Sequence, residues 1–135
     1  MIQIDVTYHG GLRCQAVHGP TGQTLTTDAP VATRGKGEHF SPTDLVAAAL
    51  GTCMATIMGT VAERENVDLT GMKITVMKEM ASAPHRRLGK LATRIVVPCV
   101  LTEQQRVKLE RAAHLCPVHE SLRPDMEMPV EFVYP

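Results

Sequence analysis

Cys53 and Cys116 are the residues of this chain with the most scope for chemistry, and their surroundings differ. Cys53 lies inside an uncharged stretch from Leu45 to Ala62. In such a stretch an isolated cysteine is ordinarily a small buried hydrophobe. Cys116 directly precedes Pro117 after a segment of helical periodicity, at a predicted corner between two helices. Free backbone N–H groups and the helix dipole at such a corner stabilise a thiolate. A purely structural cysteine does not need that placement, so both a structural and a functional reading stand for Cys116. One thiol on each of two helices is what a redox pair requires, one being oxidised to a sulfenic acid and the other resolving it as a disulfide.

The remaining candidates read more plainly. Cys14 falls on the apolar side of a strand with Leu12 and Ala16, and Cys99 follows Pro98 near a strand end; both read as structural. His114, Cys116 and His119 gather three potential ligands, but no fourth stands at a standard zinc spacing, so no metal is expected. His119 is expected to tune or shield Cys116 instead.

The helix that must carry Cys53 has a clear start. Ser41 can cap it, Pro42 suits its first position, and Asp44 favours its positive end. The reading runs to about Asn66. Eighteen uncharged residues could be a membrane span, but Ala, Gly and Thr dominate and no interfacial Trp or Tyr flanks them. A helix apolar on every side belongs in a core. One sheet covers only one of its faces, so the other is expected to meet the same helix of a second subunit. Ala47, Ala48, Gly51, Ala55 and Gly59 would let the two backbones approach.

Upstream, Ile2, Ile4, Val6 and Tyr8 alternate with polar residues as a half-buried strand would. Gly10-Gly11 supplies a hairpin turn, Leu12–His18 returns, and residues 23–28 make a short third strand. Downstream, strands are predicted near residues 71–80 and 90–100, joined by the basic loop Pro84-His85-Arg86-Arg87. Thr102 and Gln105 form a capping box for a helix from Glu103 to about Leu115, whose apolar stripe Leu109, Ala112, Ala113 continues into Cys116. Met126, Met128, Val130, Phe132 and Tyr134 alternate as a last strand. The pattern is β-β-β-α-β-β-α-β, an α+β arrangement in a single domain over residues 1–135.

Composition narrows the function. Fourteen basic and fourteen acidic residues cancel, and there is no Trp. Neither the charge excess nor the aromatic platforms of a nucleic-acid binder are present, and no anionic membrane surface is implicated. The opening Met1-Ile2-Gln3-Ile4-Asp5 reads as no leader, which points to a cytoplasmic protein with reduced cysteines.

Two segments together resemble a known family. The run from Ser41-Pro42-Thr43-Asp44-Leu45 through Gly51-Thr52-Cys53 resembles the central helix of the osmotically inducible protein C family, which includes the organic hydroperoxide resistance proteins. Cys116-Pro117-Val118-His119-Glu120-Ser121-Leu122 resembles its second cysteine motif. The resemblance implies an intertwined homodimer around a buried central helix, with active sites at the subunit interface. It implies reduction of hydroperoxides with no metal or organic cofactor, and an external dithiol, lipoyl in the best-known branch, as reductant. Cys53 would then attack the peroxide and Cys116 would form the disulfide. An arginine in the early strands would oppose the thiolate; Arg13 matches that position, with Arg34 as second candidate. Thr43 stands where that branch carries a glutamate, and Glu38 is the expected substitute. The alternative is a redox-responsive or small-electrophile-binding protein of the same fold without fast turnover.

Overall fold

Alternation at the N-terminus gives β1 (Ile4–Gly10), β2 (Arg13–His18) and β3 (Thr24–Thr27), joined as an antiparallel sheet in that order. The computed structural model describes residues 1–135, which divide into two units, Met1–Val46 and Ala47–Pro135. In the first unit the β1–β2 turn takes left-handed backbone at Gly10, Gly11 and Leu12, with φ of 80°, 60° and 63°. Glycine at the first two positions makes that turn accessible.

The register pairs Tyr8 with Cys14, Val6 with Ala16 and Ala16 with Leu25. One face of this sheet therefore collects Ile4, Val6, Tyr8 and Leu25. The sequence predicted that face to be half-buried. Instead all four side chains are exposed, Val6 at 64%. The alternation is correct, but the chain itself supplies no cover for it.

The loop after β3 contains one turn of 3-10 helix, Val31–Thr33. It folds tightly on itself, for a Cβ at Gly35 would stand 1.7 Å from the Ala29 carbonyl oxygen. The loop delivers the chain to α1 (Pro42–Arg64), which begins in the first unit and continues through the second. Its start is a reciprocal cap. The Asp44 N–H donates to Ser41 Oγ at 3.1 Å, and the Ser41 N–H donates to Asp44 Oδ2 at 2.9 Å.

In the second unit α1 buries the stripe Leu50, Met54, Met58 and Ala62. Gly51 lies against β4 (Lys73–Ala81), where an added Cβ would come within 3.1 Å of Val76 Cγ2. The opposite face of α1 is open: Thr52, Thr56 and Thr60 are exposed, and each donates its hydroxyl to the carbonyl one turn back. This changes the small-residue expectation. Ala47 and Gly51 are used inside the chain, so the five small residues do not form one outward stripe.

β4 pairs antiparallel with β5 (Arg87–Val96), and β5 pairs parallel with β6 (Val130–Val133). These strands lie a few residues from the predicted bounds, and the last is shorter. The segment from Met126 contributes one isolated bridge, Lys90 to Glu127, before β6 begins. α2 (Glu103–His114) carries the predicted capping box and buries Leu109, Ala112 and Ala113. α3 (Pro117–Ser121) follows at once. Leu50, Met54, Met58, Leu91, Ile95 and Leu109 form the fully buried centre of this unit.

Candidate functional site

α2 runs antiparallel along one flank of α1, and this alignment places the two cysteines. Near the end of α1, Lys108 Nζ bonds Glu65 Oε1 at 2.6 Å. One turn back, Val61 shares a groove with Ala112 and Leu115. At the middle of α1, Cys53 neighbours Cys116, near enough for its side chain to act on the Cys116 thiol. Cys53 lies at the edge of the buried stripe, half-buried, while Cys116 is fully buried. Both are free thiols.

Cys116 is the N-cap of α3, and its Sγ accepts the His119 N–H at 3.3 Å. The corner expected from Pro117 is present and its N–H groups act as expected, but the net effect on the thiol is the reverse because burial outweighs them. Burial pushes the Cys116 thiol up, and the neighbouring Cys53 side chain pushes the same way. The backbone N–H groups of His119 and Val118 oppose this without overcoming it. A one-turn helix offers two donors to a large, diffuse sulfur, while desolvation acts on the whole anion. Cys116 is thus held as the neutral thiol. The His119 ring meets His114 edge-on, with centroids 5.9 Å apart. What His119 gives Cys116 is its backbone.

In the first unit the structure brings Arg13 and Glu38 together. Arg13 Nη2 donates to Glu38 Oε2 at 2.7 Å. The same nitrogen donates to Asp28 Oδ2 at 3.1 Å. The side chains differ in access: 30% exposed for Arg13, 54% for Glu38 and 0% for Asp28. Glu38 and then Asp28 strengthen the hold of the guanidinium on its proton. Asp28 is held below the usual carboxylate range, first by the Glu38 N–H and then by Arg13 and the Ala29 N–H, against its burial. Glu38 is lowered chiefly by Arg13. Arg34, the other candidate, is exposed at the left-handed end of the 3-10 turn and is outside this cluster.

Asp28 was missed by the sequence reading, because the strand register that sets it beside Arg13 exists only in the folded sheet. The β2–β3 register pairs Cys14 with Thr27. The next pair outward is Arg13 opposite Asp28, and opposite charges directly across two strands attract. Cys14 and Cys99 are half-buried and belong to neither group.

Residues 35–131 match the family described as OsmC-like protein, which covers most of the chain and both cysteine segments. The chain belongs to this OsmC-like family. A crystal structure from Psychrobacter arcticus 273-4, provisionally described as an osmotic stress induced and detoxification response protein, is 39% identical to this chain. It superposes with a TM-score of 0.92 over 98% of this chain and 96% of the other. An organic hydroperoxide resistance protein OsmC from Legionella pneumophila is 17% identical, with a TM-score of 0.80 over 98% and 96%. An organic hydroperoxide resistance protein from Elizabethkingia anophelis is also 17% identical, with a TM-score of 0.81 over 100% and 96%. At that identity the last two likenesses carry the α+β fold alone. No curated protein sequence matches the chain.

Proposed function

We propose that this OsmC-like protein is a thiol-dependent peroxidase acting on hydroperoxides, organic ones among them. The observation that carries the reading is that half-buried Cys53 neighbours the fully buried thiol of Cys116 closely enough to act on its ionisation. A peroxidatic thiol must meet substrate, and a resolving thiol must wait beside it, protected from oxidant. Cys53 as thiolate attacks the distal peroxide oxygen. The O–O bond breaks, an alcohol leaves with the proton, and Cys53 becomes a sulfenic acid. Cys116 sulfur then displaces that oxygen as water, giving the Cys53–Cys116 disulfide. An external dithiol, of which a lipoyl group is one form, reduces the disulfide and is itself oxidised.

Arg13 is the proposed cation for the developing charge, with Glu38 pairing with it in place of the motif glutamate. The proposed assembly is a homodimer. Its support is the uncovered apolar face of β1 and the open threonine face of α1. The proposed location is the cytoplasm, where thiols stay reduced.

Slower chemistry is the second reading, a redox-responsive or electrophile-binding protein. One observation favours it: Arg13 is held by two carboxylates, which leaves little free positive charge. Consumption of t-butyl hydroperoxide with a dithiol decides between them. The expected result is steady turnover in the wild type and background rates in Cys53→Ser, a loss of more than about a thousandfold. A wild type whose oxidation rate matches that of a free thiol would point to the second reading.

A further inference from the structure

We propose that Asp28 is the positioning residue for Arg13, a fixed carboxylate that keeps the guanidinium in place while exposed Glu38 exchanges with solvent or substrate. The inference rests on Arg13 serving the thiol chemistry proposed above. Its physical ground is the contrast between the two acceptors on one nitrogen.

Asp28 is built in. Its Oδ1 accepts the Ala29 N–H at 2.9 Å, and its Oδ2 accepts the Glu38 N–H at 3.1 Å beside Arg13 Nη2 at 3.1 Å. Its own N–H donates to the Phe40 carbonyl at 3.1 Å. One residue therefore joins both ends of the 29–40 loop to the strand that carries Arg13. The side chain is wholly buried, so water cannot replace these partners without opening the loop. Removing the charge would leave two backbone N–H groups and a guanidinium short of an acceptor.

Glu38 is held differently. Its carboxylate binds Arg13 at 2.7 Å from a side chain that is 54% exposed. Water competes there, and an exposed ion pair is weak. Because both carboxylates bind Nη2, departure of Glu38 frees a donor on a guanidinium that Asp28 still holds. A guanidinium carries five N–H donors in a rigid fork, so its orientation decides what the remaining donors reach. Asp28 sets that orientation, and Glu38 controls when the donor is available.

Two measurements test this. The first is a double-substitution cycle on kcat/KM for t-butyl hydroperoxide. Asp28→Asn is expected to lower it by about tenfold or more, the scale of one hydrogen bond to a charged group. The same change in an Arg13→Ala background is expected to lower it no further. Equal losses in both backgrounds would show Asp28 acting through the loop alone and overturn the proposal. The second measurement needs no turnover. Isotope-edited NMR of the arginine side chains reads rotation about Cζ–Nε in Glu38→Gln, whose altered residue is exposed. Rotation of Arg13 that stays slow supports the anchor, and free rotation overturns it. A wild type without peroxide turnover would reject the peroxidase reading, and the NMR result would still decide the role of Asp28.

Discussion

Cys116 and Asp28 are both buried acids, and their surroundings move them in opposite directions. Burial drives Cys116 toward its neutral thiol. Asp28 is as completely buried, yet it is held ionised. The difference lies in the donors. Asp28 receives two backbone N–H groups and a guanidinium at 2.9 to 3.1 Å, compact partners for a compact carboxylate. Cys116 receives the His119 N–H at 3.3 Å and faces a second thiol where a cation would be needed. Desolvation is common to both, and the hydrogen bonds decide which form survives. Cys116 is thus a dry, neutral sulfur, and Asp28 a dry, charged carboxylate.

The largest expected effect tests the neutral member. Cys116→Ser is expected to permit the first reaction with peroxide and then stop turnover, lowering the steady rate by about a hundredfold or more because no disulfide forms. Mass spectrometry should show Cys53 carrying two added oxygens as sulfinic acid. Unchanged turnover would mean that Cys116 is only packing. Next comes the dryness of its surroundings. Leu109→Ala, in the stripe leading to Cys116, is expected to lose about 2–5 kcal/mol in urea unfolding. A loss well under that range would show the interior collapsing or already wet.

The acid side of the comparison is read by pH. The folded value of Asp28 is depressed, so its contribution is complete above the ordinary carboxylate range and is lost as pH falls through about 4 toward the folded value. The stability gap between wild type and Asp28→Asn should therefore be full at pH 7 and close in acid. Cys116 behaves oppositely. Its folded value is raised, so stability falls as pH rises past the ordinary thiol range, about 8.5, and Cys116→Ser should lack that alkaline loss. Gaps independent of pH would break the comparison for either group. The smallest effect is a control. Lys108→Met removes an exposed ion pair to Glu65 and should shift stability by less than about 1 kcal/mol.

Much of this protein is legible locally. Ser41, Pro42 and Asp44 announce α1, Thr102 and Gln105 announce α2, and Gly10-Gly11 announces the first hairpin, because caps and turns are satisfied by near neighbours in the chain. The stripe Leu109, Ala112, Ala113, Cys116 marks its buried face by period alone. The family and the α+β fold could be read from the two cysteine segments. Three features could not. Ile4, Val6 and Tyr8 have the pattern of a covered face, but cover is supplied by whatever lies opposite, and the chain supplies none. Gly51 looked free to meet another helix, yet β4 occupies that side. The charge on Cys116 looked settled by its corner, until burial outweighed two N–H groups.

By itself the sequence determined which residues could react and which elements would carry them, since propensity, capping and periodicity act over a few residues. Tertiary structure alone decided that Cys53 meets Cys116 and that Asp28 stands behind Arg13. Both are contacts between segments distant in the chain, and their energies depend on burial and hydrogen-bond geometry that exist only once those segments have packed.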